Sequence, residues 1–364
     1  MHCASLGEFE QGRPLLEELR RTYPGTVIIL TFFSSSGYEI RKDYKGADYI
    51  FYLPMDSALN ARRLLDLLRP QLVLWVKYEF WYYVLKEIHQ RKIPLLLVSG
   101  IFRESQLFFR WYGGIYREML RFFTHFFVQN EESVTLLSKV GYKDNCSISG
   151  DTRFDRVVEI AEAGEHLPLI EQFCGSSNII VAGSTWAEDE EELDHYANIH
   201  PEIRFIIAPH EINKAHISDI RKLYDRNVLY SELMSSGFPG EDVNVLIIDN
   251  IGMLSRLYKY ATITYVGGGF GEDGVHNVLE AAVYGRPVVF GPVYDKFIEA
   301  EELVENGGGF PVKSALELEA RLEMLLKDES AYTRACKASR DYVYSKTGAK
   351  RRIMEYIAAA GFAF

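Results

Sequence analysis

The sequence predicts an α/β protein made of two doubly wound, Rossmann-like domains facing across a cleft. Three observations carry that reading: the 364-residue length, short apolar runs alternating with amphipathic segments, and a change of texture near Gly150 after which the alternation restarts. A chain of this length corresponds to two domains of roughly 150 residues each.

The apolar runs of the first half fall at 27–33, 49–53, 72–76, 94–99 and 125–129, and helical patterns such as 14–22 and 58–68 separate them. Runs this short, bounded by turn residues, suit the fully buried strands of a parallel sheet wrapped by helices. After the polar stretch 151–156 the alternation resumes at 179–182, 204–208, 245–248, 263–266 and 287–290. The last stretch, 315–359, is helical in pattern. We therefore expect domains over 1–153 and 154–340, with the helix at 341–364 packing back on the first domain. Ligands of such sheets lie at the C-terminal ends of the strands.

Composition narrows the function. Forty Lys and Arg against 51 Asp and Glu give a net charge of −11, which argues against broad nucleic-acid binding, an affinity built from cationic side chains. Cys3, Cys146, Cys174 and Cys336 are scattered without a CxxC pair or metal-ligand spacing, so neither a disulfide framework nor a zinc site is expected. No apolar run reaches the ~18 residues that a spanning helix requires.

The strongest local signal is VGGGF at 266–270, followed by GVHNVLEAA at 274–282 and GRPVVFGP at 285–292. A strand running into three glycines lets backbone amides approach an anion, and a helix opening near His276 would aim its positive end at the same place. Gly268, Gly269 and His276 are thus candidate phosphate contacts. Asn277 and Glu280 lie one turn apart, so the Glu280 carboxylate is placed to accept from ribose hydroxyls. A glycine-rich turn followed by a capped helix remains the alternative.

Near the start, Ser5-Leu6-Gly7-Glu8 joins a strand end to a helix. Glu8 is a candidate proton acceptor, although the helix dipole favours an acid in a first turn without any chemistry. WVKYEFWYY at 75–83 places Lys77 and Glu79 among six aromatics. Either the two form a structural ion pair, or Glu79 faces the cleft and stabilises a cationic sugar transition state. Arg153, at the domain junction, is either an anion partner or a hinge salt bridge. Three more segments follow predicted strands: GSTWAE at 183–188, which includes Ser184, then APHE at 208–211 and DNIGML at 249–254.

Taken together, these segments resemble the 3-deoxy-D-manno-octulosonic acid (Kdo) transferases, which attach Kdo from CMP-Kdo to the lipid A precursor of lipopolysaccharide in Gram-negative cells. The resemblance runs in one order through HCASLGE (2–8), LPMD (53–56), KYEFW (77–81), GDTRFD (150–155), AGST (182–185), APHE, DNIGML and VHNVLE (275–280). It implies the two-domain GT-B fold and a lipid A-specific inverting transfer. It also implies Glu8 as proton acceptor, with Glu79 and Arg153 as transition-state stabilisers. CMP contacts would fall on Pro209, His210, Ile251, Gly252, Met253, Asn277, Val278, Leu279 and Glu280. Expected partners are CMP-Kdo, the lipid A precursor and the cytoplasmic face of the inner membrane, with no cofactor, no metal and no nucleic acid. Arg41, Lys42, Lys77 and Arg103 are candidates for acceptor phosphates.

The sequence departs from the family pattern in four places. KYEFWY stands where ETELWP is usual, His210 where a basic residue is usual, and Arg153 where Lys is commoner. Family members also carry an N-terminal membrane anchor and a first strand ahead of the HxAS motif, so we expect that strand to be missing here. Two rival readings stay open: a GT-B glycosyltransferase or nucleotide-sugar epimerase with a uridine donor, and a non-catalytic nucleotide-sugar binding protein.

Overall fold

The computed structural model describes residues 1–77, 79–237, 240 and 242–362. Tyr78 of the KYEFW motif lies outside the described residues. The chain divides into two compact units, one formed by Met1–Arg156 with Lys346–Phe364 and the other by Val157–Ser345.

The N-terminal unit carries six parallel strands: β1 (Ile29–Phe32), β2 (Tyr49–Tyr52), β3 (Val73–Val76), β4 (Leu95–Gly100), β5 (His125–Val128) and β6 (Cys146–Ile148). β1 pairs with β2, and β3 to β6 pair in sequence order. Residues 1–3 fill the interval between β1 and β3. His2 forms parallel bridges to Thr31 and Trp75, and its amide donates to Leu74 O at 2.8 Å while Cys3 N donates to Thr31 O at 3.0 Å. Backbone groups on facing edges of β1 and β3 are thereby satisfied.

The helix Leu6–Thr22 begins where Ser5 accepts the Glu8 amide as N-cap, and it runs through Pro14 rather than starting there. Its Phe9, Leu15, Leu16 and Leu19 pack with Leu30, Phe32, Leu74 and Val76 of the sheet, and with Ile353 and Ile357 of the last helix, Ala349–Ala359. Each such side chain contributes about 1.5–3 kcal/mol on burial. Asp155 caps that last helix by accepting Gly348 N at 2.7 Å and Lys350 N at 2.9 Å.

The C-terminal unit is one seven-stranded parallel sheet of β7 (Ile179–Thr185), β8 (Arg204–Pro209), β9 (Asn227–Leu229), β10 (Val245–Ile247), β11 (Ile263–Val266), β12 (Val288–Phe290) and β13 (Gly309–Pro311). Its spatial order is β13-β12-β11-β7-β8-β10-β9. After β7 the chain moves outward to β8, and later it returns to pair β11 on the other side. The strand order reverses at β7, so the turns after β7, β8 and β11 converge, the usual place for a ligand in such a sheet. Three short strands, β6, β9 and β13, have no counterpart in the apolar pattern. Each has three residues at a sheet edge, and Pro311, which lacks an amide, is tolerated because β13 has one free side. Among the described residues, no helix is long and apolar enough to cross a membrane.

Candidate active-site residues

In the N-terminal unit the sequence-predicted residues follow strand ends. Glu8 lies in the first helical turn and is 8% exposed. Its Oε2 accepts the Ala4 amide at 2.5 Å while its own amide donates to Ser5 Oγ at 3.4 Å. This reciprocal arrangement resembles a capping box moved back by one residue. The carboxylate therefore does structural duty whether or not it also accepts a proton.

Glu79 follows β3. Its carbonyl accepts Trp75 Nε1 at 2.5 Å, which fixes the turn. Among the described residues its buried Oε2 meets no hydrogen-bond partner, and the same holds for Trp81 Nε1 two residues on. A buried carboxylate oxygen left in this state costs free energy unless a ligand or water completes it. Lys77, just before it, adopts φ 57°, a left-handed conformation uncommon outside glycine.

Arg153 forms an ion pair with Asp151, with Nε and the terminal nitrogen 2.9 and 2.8 Å from Oδ2 and the Arg153 amide 2.9 Å from Oδ1. Gln11 Nε2 adds a bond to the same oxygen at 3.2 Å. Burial alone would raise the Asp151 pKa. Arg153, by its charge and hydrogen bonds, together with the charge of Lys77, holds it below the usual carboxylate range. Two of the proposed acceptor-phosphate cations are engaged by carboxylates: Arg41 pairs with Glu10 at 2.8 Å and Lys42 with Glu39 at 2.8 Å. A separate apolar cavity of about 330 Å³, lined by Met1, Leu16, Leu19, Ile28, Leu65 and Ile88, includes none of Glu8, Glu79 or Arg153.

In the C-terminal unit the two glycine turns pack backbone to backbone. A Cβ on Gly269 would come within 2.6 Å of Gly291 N, and one on Gly267 within 2.3 Å of Ser184 O. Ser184 itself takes φ 53°. Gly268 N donates to Asp189 Oδ2 at 2.8 Å, so the carboxylate occupies this amide, which the glycine run had offered to a phosphate. Asp189, 1% exposed, also accepts Trp186 N at 2.9 Å and Tyr265 OH at 2.6 Å. Burial raises its pKa despite these three donors. One carboxylate thus ties the turn after β7 to the strand and turn of β11. Neither Asp189 nor Trp186 stood out in the sequence, because an acid in a first helical turn reads as a cap.

The helix expected to open near His276 is shorter and later than its pattern suggests: it spans Leu279–Ala282. Asn277 Oδ1 accepts Leu279 N at 3.3 Å, and Asn277 Nδ2 donates to Glu280 Oε1 at 3.0 Å, so the carboxylate expected to meet ribose hydroxyls takes a donor from its neighbour. Val278 and Leu279 are fully buried, which leaves only their backbone for a ligand. Met253 and Pro209 are buried too, whereas Ile251 is 91% exposed and Gly252 adopts φ 95°. His210 is exposed, its amide held by Thr185 O at 2.9 Å. His276 is half-buried, and burial first, then the charge of His210, push its pKa down to about 4.

Comparison with known proteins agrees with these motifs. Residues 1–156 match the family described as 3-Deoxy-D-manno-octulosonic-acid transferase (kdotransferase). The chain is 29% identical over 333 residues to the 3-deoxy-D-manno-octulosonic acid transferase of Aquifex aeolicus, spanning 90% of this chain and 85% of that one. With the Haemophilus influenzae transferase it shares 24% identity over 369 residues, spanning 98% and 86%. Over residues 1–156 the chain matches the Kdo transferase model, and over nearly its whole length it is similar to Kdo transferases.

The two-domain, GT-B-type architecture is shared with a more distant group. The UDP-GlcNAc 2-epimerase from Neisseria meningitidis superposes with a TM-score of 0.66 over 98% of each chain at 18% identity, a likeness of fold. Among the described residues, no group of three or more His, Cys, Asp or Glu is placed to hold a metal ion.

Proposed function

We propose that this glycosyltransferase transfers Kdo from CMP-Kdo to the lipid A precursor, with inversion, at the cytoplasmic face of the inner membrane. Glu8 accepts the proton of an acceptor hydroxyl, whose oxygen forms the new bond to the anomeric carbon of Kdo as the bond to the CMP phosphate oxygen breaks. Glu79 stabilises oxocarbenium character, and Arg153 faces the Kdo carboxylate or the phosphate. His210, Asn277 and Glu280, with the backbone at Pro209, at 251–253 and at 278–279, hold CMP.

The observation that carries this reading is the buried, partnerless Oε2 of Glu79 at the end of β3, in a chain similar to Kdo transferases. A carboxylate oxygen not committed to a donor is left to meet a cation that forms only during reaction.

The test is an assay of CMP-Kdo with a tetra-acylated lipid A precursor, read as the mass of the lipid. Glu8→Ala is expected to abolish the mass gain, a loss of at least ~10²-fold for a general base, while CMP binding measured by calorimetry stays within twofold. Retained turnover removes Glu8 from the proton-acceptor role, and tighter binding of UMP or UDP than of CMP overturns the donor.

A further inference from the structure

The C-terminal unit brings three rings together from three separate turns: Trp186 after β7, His210 after β8 and His276 beyond the glycine turn of β11. Trp186 and His276 lie 16° from parallel, with centroids 6.3 Å apart, and Trp186 Nε1 donates to His276 Nε2 at 2.9 Å. His210 lies against both, 4.7 Å and 28° from the indole, 4.4 Å and 16° from the other imidazole. A column of three rings would separate its outer members much further. The indole and the His276 imidazole instead lie edge to edge, joined by the hydrogen bond, and form one flat shelf under His210.

We propose that Trp186 and His276 are positioning residues that set the His210 imidazole toward the phosphate of the donor nucleotide. This rests on the CMP-sugar reading above and adds to it how the phosphate contact is aimed.

Hydrogen-bond chemistry constrains the shelf. An indole N–H is a donor only, so His276 Nε2 must present a lone pair, and the ring proton resides on Nδ1. An imidazolium has no lone pair and would break the joint. His276 is therefore neutral in the joined shelf, in keeping with its depressed pKa. A neutral indole face also suits His210 when it carries a proton to meet a phosphate, because a cation over an aromatic ring is attracted by about 0.5–1 kcal/mol or more.

The backbone beneath the shelf is fixed from several sides. His210 N is held by Thr185 O, Trp186 N by Asp189, and His276 N by Gly267 O at 3.0 Å. Asp189 in turn holds Gly268 N. The backbone that carries each ring is therefore tied to its neighbours, and the Trp186–His276 hydrogen bond joins two of the rings directly.

The experiment is a double-mutant cycle on the full chain, with CMP as the probe in calorimetry and CMP-Kdo in steady-state assays. Trp186→Phe keeps the aromatic face and deletes the N–H. It is expected to weaken CMP about tenfold, the size of one hydrogen bond, and to raise KM for the donor more than it lowers kcat. In the His210→Ala background the same change is expected to cost less than twofold, because the shelf acts through His210. Additive losses overturn the proposal, as does an unchanged CMP affinity in Trp186→Phe. Nitrogen-15 shifts of the histidine rings in the nucleotide-free protein separate this proposal from the donor assignment. An Nδ1–H tautomer at His276 and a His210 signal that both change in Trp186→Phe support the shelf; unchanged signals reject it. Failure of the wild-type chain to bind CMP rejects the donor reading instead.

Discussion

The two units solve the problem of presenting polar groups in opposite ways. In the N-terminal unit the candidate residues are charged and lie close to the core: Glu8 capped onto Ala4, Asp151 clamped by Arg153, and Glu79 with one oxygen unpartnered. In the C-terminal unit they are mainly rings and glycine backbone, with Glu280 taking a donor from Asn277, and buried Asp189 faces amides and a hydroxyl. Charges placed in low dielectric act strongly on a reacting centre but must be compensated in the resting protein. Backbone and rings give shape and orientation with little electrostatic cost. The difference matches a division of labour in which the first unit supplies the chemistry and the second holds the nucleotide.

The largest effect is expected from removing a compensating charge. Asp151→Ala takes the buried carboxylate away from Arg153 and should lower the unfolding free energy by about 3 kcal/mol or more, read by urea denaturation of the full chain. A drop under about 1 kcal/mol would show that the N-terminal unit does not depend on this pair and would blur the contrast.

A smaller effect follows from backbone crowding in the C-terminal unit. Gly267→Ala drives a methyl toward Ser184 O and the Asp189 carboxylate, and should cost about 1–3 kcal/mol along with CMP affinity. Gly7→Ala is the control in the other unit. It meets nothing within 4 Å inside the first helix and should be neutral or stabilising by up to about 1 kcal/mol. Equal losses at the two glycines would contradict the distinction drawn between the sites.

The smallest effect is a slope. His276 titrates at about 4 when folded and near its ordinary value, 6.5, when unfolded. The unfolded chain binds this proton first, so the stabilisation is complete above pH 6.5 and is lost as the pH falls toward 4. His276→Asn should flatten the decline of Tm across that window. His2, pushed down to about 3 chiefly by burial, and His125, also lowered by burial, maintain the remainder of the decline. A Tm profile identical to that of the wild type would show that His276 is not held neutral.

Much of this was legible in the sequence. Apolar runs at 263–266 and 49–53 foretold β11 and β2 closely; β11 is buried throughout, as a continuous apolar run in a parallel sheet implies, whereas β2 lies at an edge with Tyr49 and Tyr52 exposed. The hydrogen bond from Asn277 to Glu280 was not legible, because the helix opens only at Leu279 and Asn277 precedes it. The edge strands β6, β9 and β13 were not legible, since three residues at an edge take their conformation from the neighbouring strand rather than from their own pattern.

By itself, then, the sequence determined the alternation of strands and helices, the glycine turns and the likeness to Kdo transferases, because these depend on local sterics and on motifs written contiguously. Only the tertiary structure decided which acids are free to act. Along the chain Glu8 reads as a cleft or cap carboxylate, while Asp151 and Asp189 carry no signal of their own. One is a cap, one is neutralised by Arg153, and one staples a glycine turn from 79 residues away. Those roles are set by through-space partners brought in from other strands, and no periodicity in a single segment encodes a partner that far along the chain.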